Sequence, residues 1–285
     1  MKITDFELYK DLLKEKSGLV LSQDKSYLLE SRLNPVAKKW GYDSLDAMTM
    51  VMQGVPDKDL IKDIVEAMTT NETSFFRDMR PFDTFKDTVL EYMKGERKNK
   101  KIRIWCAAAS SGQEPYTLAI LLSEAAAQFP GWNFEIYATD ISEDILEQAR
   151  EANYTQFEVQ RGLPITLLMK YFTQNGEKWQ LNDDIRNMVK YEYFNLLDPM
   201  TKLGTFDVIF CRNVLIYFDE ETKGDVLDKM SQQIEKDGFL FLGGAETVIG
   251  ITESFVPVPD KRGLYAIQGS PHLSKDTPDA TQALA

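Results

Sequence analysis

The chain has 285 residues, enough for about two domains at roughly 150 residues each. Its 33 Lys+Arg against 45 Asp+Glu leave a formal charge of −12, a field that repels phosphate backbones and anionic lipid and excludes nucleic acid as an expected partner. The single histidine, His272, falls in a Ser/Pro/Asp/Thr-rich stretch from Ser270, so neither a His triad nor a His-ligated metal site is expected in the folded part.

The first seventy residues carry helical periodicity. Thr4 and Glu7 have the form of a capping box, Phe6, Tyr9, Leu12 and Leu13 make one face, and Gly18 sits where a C-terminal cap belongs. A second helix runs from about Ser22 to Trp40, with Pro35 expected to kink or interrupt it. A third spans Ser44 to Gln53 and is closed by Gly54. The fourth opens at Pro56 and places Leu60, Ile61, Ile64, Val65 and Met68 at spacings of three and four. A small all-α domain over 1–72 follows from this pattern. Residues 73–101 then form a linker and connecting helix, carrying Phe82, Phe85, Val89 and Tyr92 and ending in a charge run, Lys94 to Lys101, read as solvated.

From Ile102 strands and helices alternate. The strands are IRIWCAA, FEIYAT from Phe134, DVIFCR from Asp207 and GFLFLGG from Gly238, with helices from about Pro115 to Gln128, Ser142 to Glu151 and Glu220 to Ile234. Apolar strands between helices predict an α/β domain over 102–269 with a mostly parallel, doubly covered sheet. Gly263 to Ile267 adds an edge strand. A small β-subdomain is inserted over about 155–193, signalled by the Asn175-Gly176 hairpin turn. A disordered tail is expected over 270–285. Cys106 and Cys211 lie inside apolar runs and read as buried, reduced thiols. The charged start and the lack of any apolar run near 18 residues point to a cytoplasmic chain without membrane insertion.

Small residues from Ala107 through Gly112, between the first strand and the next helix, let a ligand approach the backbone and the helix N-terminus. The second strand ends in Asp140, where a carboxylate can accept from both ribose hydroxyls or, on the blander reading, cap the next helix. Together they point to a nucleoside site. The three-glycine dinucleotide fingerprint is missing and Gly112 to Asp140 exceeds the roughly 20-residue spacing of such folds, which disfavours a nicotinamide dehydrogenase.

Five ordered stretches resemble the CheR-type chemoreceptor glutamate methyltransferases: TTNETSFFRD from Thr69, AAASSGQEPYTLA from Ala107, ATDIS from Ala138, FNLLD from Phe194 and FDVIFCRNVLIYF from Phe206. The resemblance covers nearly the whole chain to about Gly269. It implies a Rossmann-like methyltransferase domain that uses S-adenosylmethionine, yields S-adenosylhomocysteine, and converts receptor glutamates to γ-methyl esters in chemotactic adaptation. Residue by residue, it implies that Asn71, Thr73 and Arg77 reach across to the cofactor and that Glu114 and Asp140 hold its methionine or ribose portion. Asn195-Leu196 matches the adenine side, Arg212-Asn213 the segment after the fourth main strand, and Arg77 and Tyr217 the methyl-transfer site. Receptor helices are expected to meet a basic island on the second helix, Arg32, Lys38 and Lys39. The shorter hairpin turn implies independence of the receptor's C-terminal pentapeptide. A non-catalytic cofactor-responsive adaptor would keep Glu114 and Asp140 but lose the methyl-site residues; Arg77 and Tyr217 are present.

Overall fold

The computed structural model describes residues 3–273, with side chains from Asp5 onward, so the Thr4 capping box and the tail beyond 273 lie outside the described residues. Four helices open the chain, α1 (Ile3–Ser17), α2 (Ser26–Lys39), α3 (Leu45–Met52) and α4 (Lys58–Met68). Their apolar faces meet around Tyr9, Leu13, Leu29, Leu33, Met48, Leu60 and Ile64, all fully buried. Gly18 ends α1 at φ +76, its N–H donating to the Lys14 carbonyl at 3.0 Å. Pro35 does not interrupt α2; the burial of Val36 and Ala37 in the helical core offsets the hydrogen bond proline cannot make. Asp57, one residue after Pro56, is the true cap of α4, accepting from the Asp59 N–H at 2.7 Å.

The connection continues as α5 (Arg80–Thr84), a π-helical stretch over Phe85–Leu90, and α6 (Glu91–Glu96). Phe82, Phe85 and Val89 are buried here. The charge run beyond is not simply solvated. Arg97 forks both Asp237 oxygens at 2.7 Å and reaches Asp207 at 2.8 Å, pinning the chain to the sheet before the first strand.

The second domain runs β1 (Lys101–Ala107), α7 (Gln113–Ala125), β2 (Asn133–Asp140), α8 (Glu143–Glu151), β3 (Asn153–Thr155), α9 (Gln156–Gln160), α10 (Ile165–Tyr171), β4 (Phe172–Asn175), β5 (Lys178–Leu181), α11 (Asp183–Arg186), β6 (Val189–Tyr193), β7 (Phe206–Cys211), α12 (Glu220–Ser231), β8 (Ile234–Leu242), β9 (Phe255–Pro257) and β10 (Leu264–Ile267). The main sheet has the order β6-β2-β1-β7-β8-β10-β9, parallel from β6 to β8 and antiparallel beyond. Cys106 and Cys211, on the adjacent strands β1 and β7, are fully buried free thiols, pushed up in pKa by that burial. No helix among the described residues is long and apolar enough to cross a membrane.

Three boundaries differ from the sequence reading. The inserted three-stranded sheet, β3-β5-β4, begins at β3, while β6, read as part of the insertion, is the outermost parallel strand of the main sheet. Within the hairpin Asn175 pairs with Lys178, so the turn is Gly176-Glu177 with Gly176 at φ +63. β10 is not an edge, because the three-residue β9 pairs outside it. The tail expected from Ser270 is also corrected for its first residues. His272 stacks on Phe239 with centroids 4.0 Å apart, meets Tyr92 edge-on, and its Nε2 donates to the Asp237 carbonyl at 2.8 Å.

Candidate functional site

The chain leaves β1 towards β2 on one side, and β7 returns on the other, which opens a crevice beyond the carboxyl ends of these strands. A cleft lies there, partly open to solvent. It is bordered by Asn71, Thr73, Arg77, Glu114, Asp140, Asn195, Leu196, Arg212, Asn213 and Tyr217, so every expected cofactor and methyl-site residue reaches one place. Arg32, Lys38 and Lys39 do not border it.

The loop from β1 to α7 is held in an unusual shape. Ala108, Ser110 and Gly112 all have positive φ, and a Cβ on Gly112 would lie 2.6 Å from the Tyr191 hydroxyl and 3.0 Å from the Tyr116 ring. Phe76, Asp78 and Met79 before α5, and Asn213 after β7, also have positive φ. Such residues cost about 1–3 kcal/mol each and persist only where surroundings fix them, and here they gather in the segments around the cleft.

Asp140 ends β2 and is not a helix cap, since Ser142 caps α8 by accepting from the Ile145 N–H. Its two oxygens accept the Ser110 N–H at 2.9 Å and the Ser142 N–H at 3.0 Å. Burial raises its pKa and those amides pull it back. Each oxygen keeps a further lone pair for ligand hydroxyls.

Arg212, its side chain 1% exposed, donates to Glu114 at 2.7 Å, to Asp78 at 2.8 Å and to the Arg77 carbonyl at 2.9 Å, with its guanidinium over the Phe82 ring. It therefore ties β7 to the first turn of α7 and to the backbone of Arg77. Burial pushes the Glu114 carboxyl up, while Arg212 pulls it down. Arg77, half-buried, gives Nη1 to the Glu72 carbonyl at 2.7 Å rather than to a carboxylate. Asn71 and Thr73 cap no helix; the Asn71 carbonyl accepts from the Ser110 hydroxyl at 2.8 Å, stitching the 69–73 segment to the β1 loop.

Two features were not anticipated. Glu246, in the loop after β8, accepts the N–H groups of Asn213 at 2.8 Å, Val214 at 3.0 Å, Ile216 at 3.3 Å and Gly243 at 2.6 Å, fixing the turn that carries Tyr217. Its signal in the sequence was an acid just after Gly243-Gly244 at the end of an apolar strand. Ser17 and Leu19, at the end of α1, also border the cleft. They are held there by Asn195, whose Nδ2 donates to the Lys16 carbonyl at 2.7 Å, and by Lys14, paired with Asp219 at 2.7 Å.

On the second helix, Lys38 is exposed and Lys39 pairs with Asp63 at 2.8 Å. Arg32 is turned onto its own chain, donating to the Met68 and Thr69 carbonyls at 2.8 and 2.9 Å and to the Thr70 hydroxyl at 3.3 Å.

The cleft fits a nucleoside-bearing amino acid. Asp140 offers acceptors for hydroxyls, and the Nε of Arg212 is buried without a partner among the described residues.

Comparison with known proteins agrees. Residues 4–69 match the CheR methyltransferase all-alpha domain and residues 71–264 the CheR methyltransferase SAM binding domain. Chemotaxis protein methyltransferase Cher2 of Pseudomonas putida is 36% identical over 264 residues, covering 91% of this chain and 96% of that protein. Chemotaxis protein methyltransferase 1 of Pseudomonas aeruginosa is 38% identical over the same shares, and that of Vibrio cholerae is 38% identical over 92% of this chain and 96% of its own. With both domains matched in order and the site residues gathered at the switch point, the chain belongs to the CheR family of S-adenosylmethionine-dependent methyltransferases.

Proposed function

We propose that this enzyme methylates glutamate side chains on the cytoplasmic helices of chemoreceptors, forming γ-methyl esters. The observation that carries the reading is that Arg77, from the segment before α5, and Tyr217, from the turn after β7, border the same cleft as Asp140. A glutamate carboxylate has an ordinary pKa near 4.3 and is already ionised at neutral pH. It needs no general base, and no histidine or cysteine among the described residues borders the cleft.

When bound, S-adenosylmethionine supplies a sulfonium methyl group: a carboxylate oxygen bonds to the methyl carbon, the carbon–sulfur bond breaks with its electron pair going to sulfur, and no proton moves. The protein supplies orientation and dehydration of the acceptor, and orientation alone is worth about 7–11 kcal/mol in well-aligned systems. Arg77 keeps donors free to align the incoming carboxylate. A tight pair would only stabilise the ground state, so its role is positioning the anion along the transfer axis. Tyr217, which borders the same cleft, offers its hydroxyl as a hydrogen-bond donor to the acceptor. Asp140 takes the ribose, Glu114 the methionine portion through its pair with Arg212, and Leu196 with the Asn195 backbone the adenine side, because the Asn195 side chain is committed to Lys16 and Leu197.

Receptor engagement falls to the exposed part of α2, where Lys38 and the preceding Lys25 are open and Lys39 shares its charge with Asp63. The two-residue turn between β4 and β5 supports recognition without a C-terminal pentapeptide, a choice that tight binding of the isolated peptide would overturn. Receptors of this kind place the enzyme in the cytoplasm. Methyl transfer from labelled S-adenosylmethionine to receptor fragments tests the function. Label released by mild base identifies an ester, and base-stable label would overturn the glutamate acceptor.

A further inference from the structure

Tyr154, the central residue of β3, is buried in the inserted sheet, where it pairs with Trp179 of β5. Its hydroxyl reaches out of that sheet and donates to the Ser111 carbonyl at 2.8 Å. Within α7 this carbonyl finds no donor. Gly112 is the N-cap and its own carbonyl takes the Tyr116 N–H at 3.0 Å, while the residue four places after Ser111 is Pro115, which has no N–H. The ring of Tyr154 meets Phe75 edge-on with centroids 5.1 Å apart, and Phe172 of β4 meets the same ring at 5.6 Å. A Cβ on Gly162, between α9 and α10, would lie 2.1 Å from the Phe75 carbonyl, so the inserted subdomain closes on the backbone of this residue as well. Phe75 lies between Thr73 and Arg77, and Ser111 follows Ser110, whose N–H holds Asp140 and whose hydroxyl holds the Asn71 carbonyl. Tyr154 thus touches both segments of chain that border the cleft here, 71–77 and 108–110, while it does not border the cleft itself.

We propose that Tyr154 is a positioning residue for the cofactor cleft: by holding the Ser111 carbonyl and the Phe75 ring, it sets the β1–α7 loop and the 71–77 segment against each other, and so gives the inserted sheet a part in cofactor binding. The inference rests on the cleft being the S-adenosylmethionine site. The hydroxyl carries the effect on the loop, because without it a buried carbonyl next to the residue that holds Asp140 loses its donor.

The test measures S-adenosylhomocysteine binding by calorimetry on the full chain with no receptor present, beside steady-state kinetics of methyl transfer. Y154F removes the hydroxyl and keeps the ring. Y9F is the control: it deletes an equally buried hydroxyl, bonded to the Thr49 hydroxyl at 3.0 Å in the core of the helical domain. Y154F is expected to weaken binding and raise the cofactor KM by about fivefold, with kcat at saturating cofactor within about twofold of the unaltered enzyme. Y9F is expected to lower the melting temperature and leave the cofactor KM within about twofold. Unaltered cofactor affinity in Y154F, a loss confined to kcat, or an equal rise of cofactor KM in both variants overturns the proposal. If Y154F does not fold, amide exchange in the unaltered chain carries the test: S-adenosylhomocysteine is expected to slow exchange in β3 and β5, since coupling between two sites is reciprocal, and unchanged exchange there overturns the proposal. Failure of the unaltered chain to bind S-adenosylhomocysteine would overturn the cleft reading beneath it, an outcome distinct from equal binding by wild type and variant.

Discussion

The backbone N–H of Val20 donates to the carbonyl of Tyr217 at 2.9 Å, so the segment after the first helix of one domain is fastened to a cleft-bordering tyrosine of the other. Beside this bond Gly18 lies against the Phe218 ring. A Cβ there would lie 3.0 Å from the ring and 3.2 Å from Leu197, in a backbone at φ +76. Gly18→Ala should destabilise the seam by about 1–3 kcal/mol and weaken S-adenosylhomocysteine binding, because Ser17 and Leu19 would shift in the cleft. Thermal unfolding with and without that ligand reads both effects; an unchanged ligand-induced rise would show the seam to be irrelevant to the pocket.

Glu246 holds four backbone amides, three of them in the turn leading to Tyr217. Glu246→Gln keeps the shape but replaces one acceptor oxygen with a donor facing N–H groups. We expect kcat to fall by about tenfold, the equivalent of roughly 1.4 kcal/mol in the barrier, with a smaller change in cofactor affinity. Stopped-flow methyl transfer and calorimetry on the same protein separate the two.

Arg77→Ala and Tyr217→Phe should each slow methyl transfer by about 10–100-fold while leaving cofactor affinity nearly intact, since neither is expected to carry the nucleoside. Asp140→Ala should weaken cofactor binding itself, by about tenfold or more for each lost charged hydrogen bond. Equal losses of affinity in all three variants, measured by calorimetry, would remove the division of roles.

His272 offers a pH test. Burial against Phe239 and Tyr92 lowers its pKa, with Arg97 nearby acting in the same direction and Asp237 opposing. A histidine whose folded pKa lies below its unfolded value of about 6.5 stabilises the fold above that value, and the contribution is lost as the pH falls through the folded pKa. As the sole histidine of the chain, its imidazole resonances are unambiguous in NMR. They should titrate below pH 6.5 and lose their contacts to Phe239 on acidification. His272→Ala should cost about 1 kcal/mol, the worth of an aromatic contact, and abolish that pH dependence. A midpoint at or above 6.5 would contradict the burial.

The alternation of apolar strands with amphipathic helices was legible because the main strands are long and buried on both faces. Asp140 and the small-residue loop were legible because the chemistry of a switch point needs an acid and close backbone approach at those places. What stayed hidden depends on contacts distant in sequence. β3 and β9 have three residues each, too few for a period to register, and exist because neighbouring strands supply their partners. Glu246 looks like any loop acid until the amides of 213–216 are folded onto it. The carbonyls that Arg32 reaches belong to the end of α4, 36 residues on, a contact that its charge alone does not reveal.

The contribution of Ser17 and Leu19 to the cleft has a consequence for how this enzyme can be taken apart. A fragment comprising 71–264 alone lacks part of the wall around its own ligand. Exchange of the helical domain with that of a relative therefore succeeds only if the partners of the seam, Asn195, Phe218 and Asp219 among them, move together with residues 14–20 as one transferable unit.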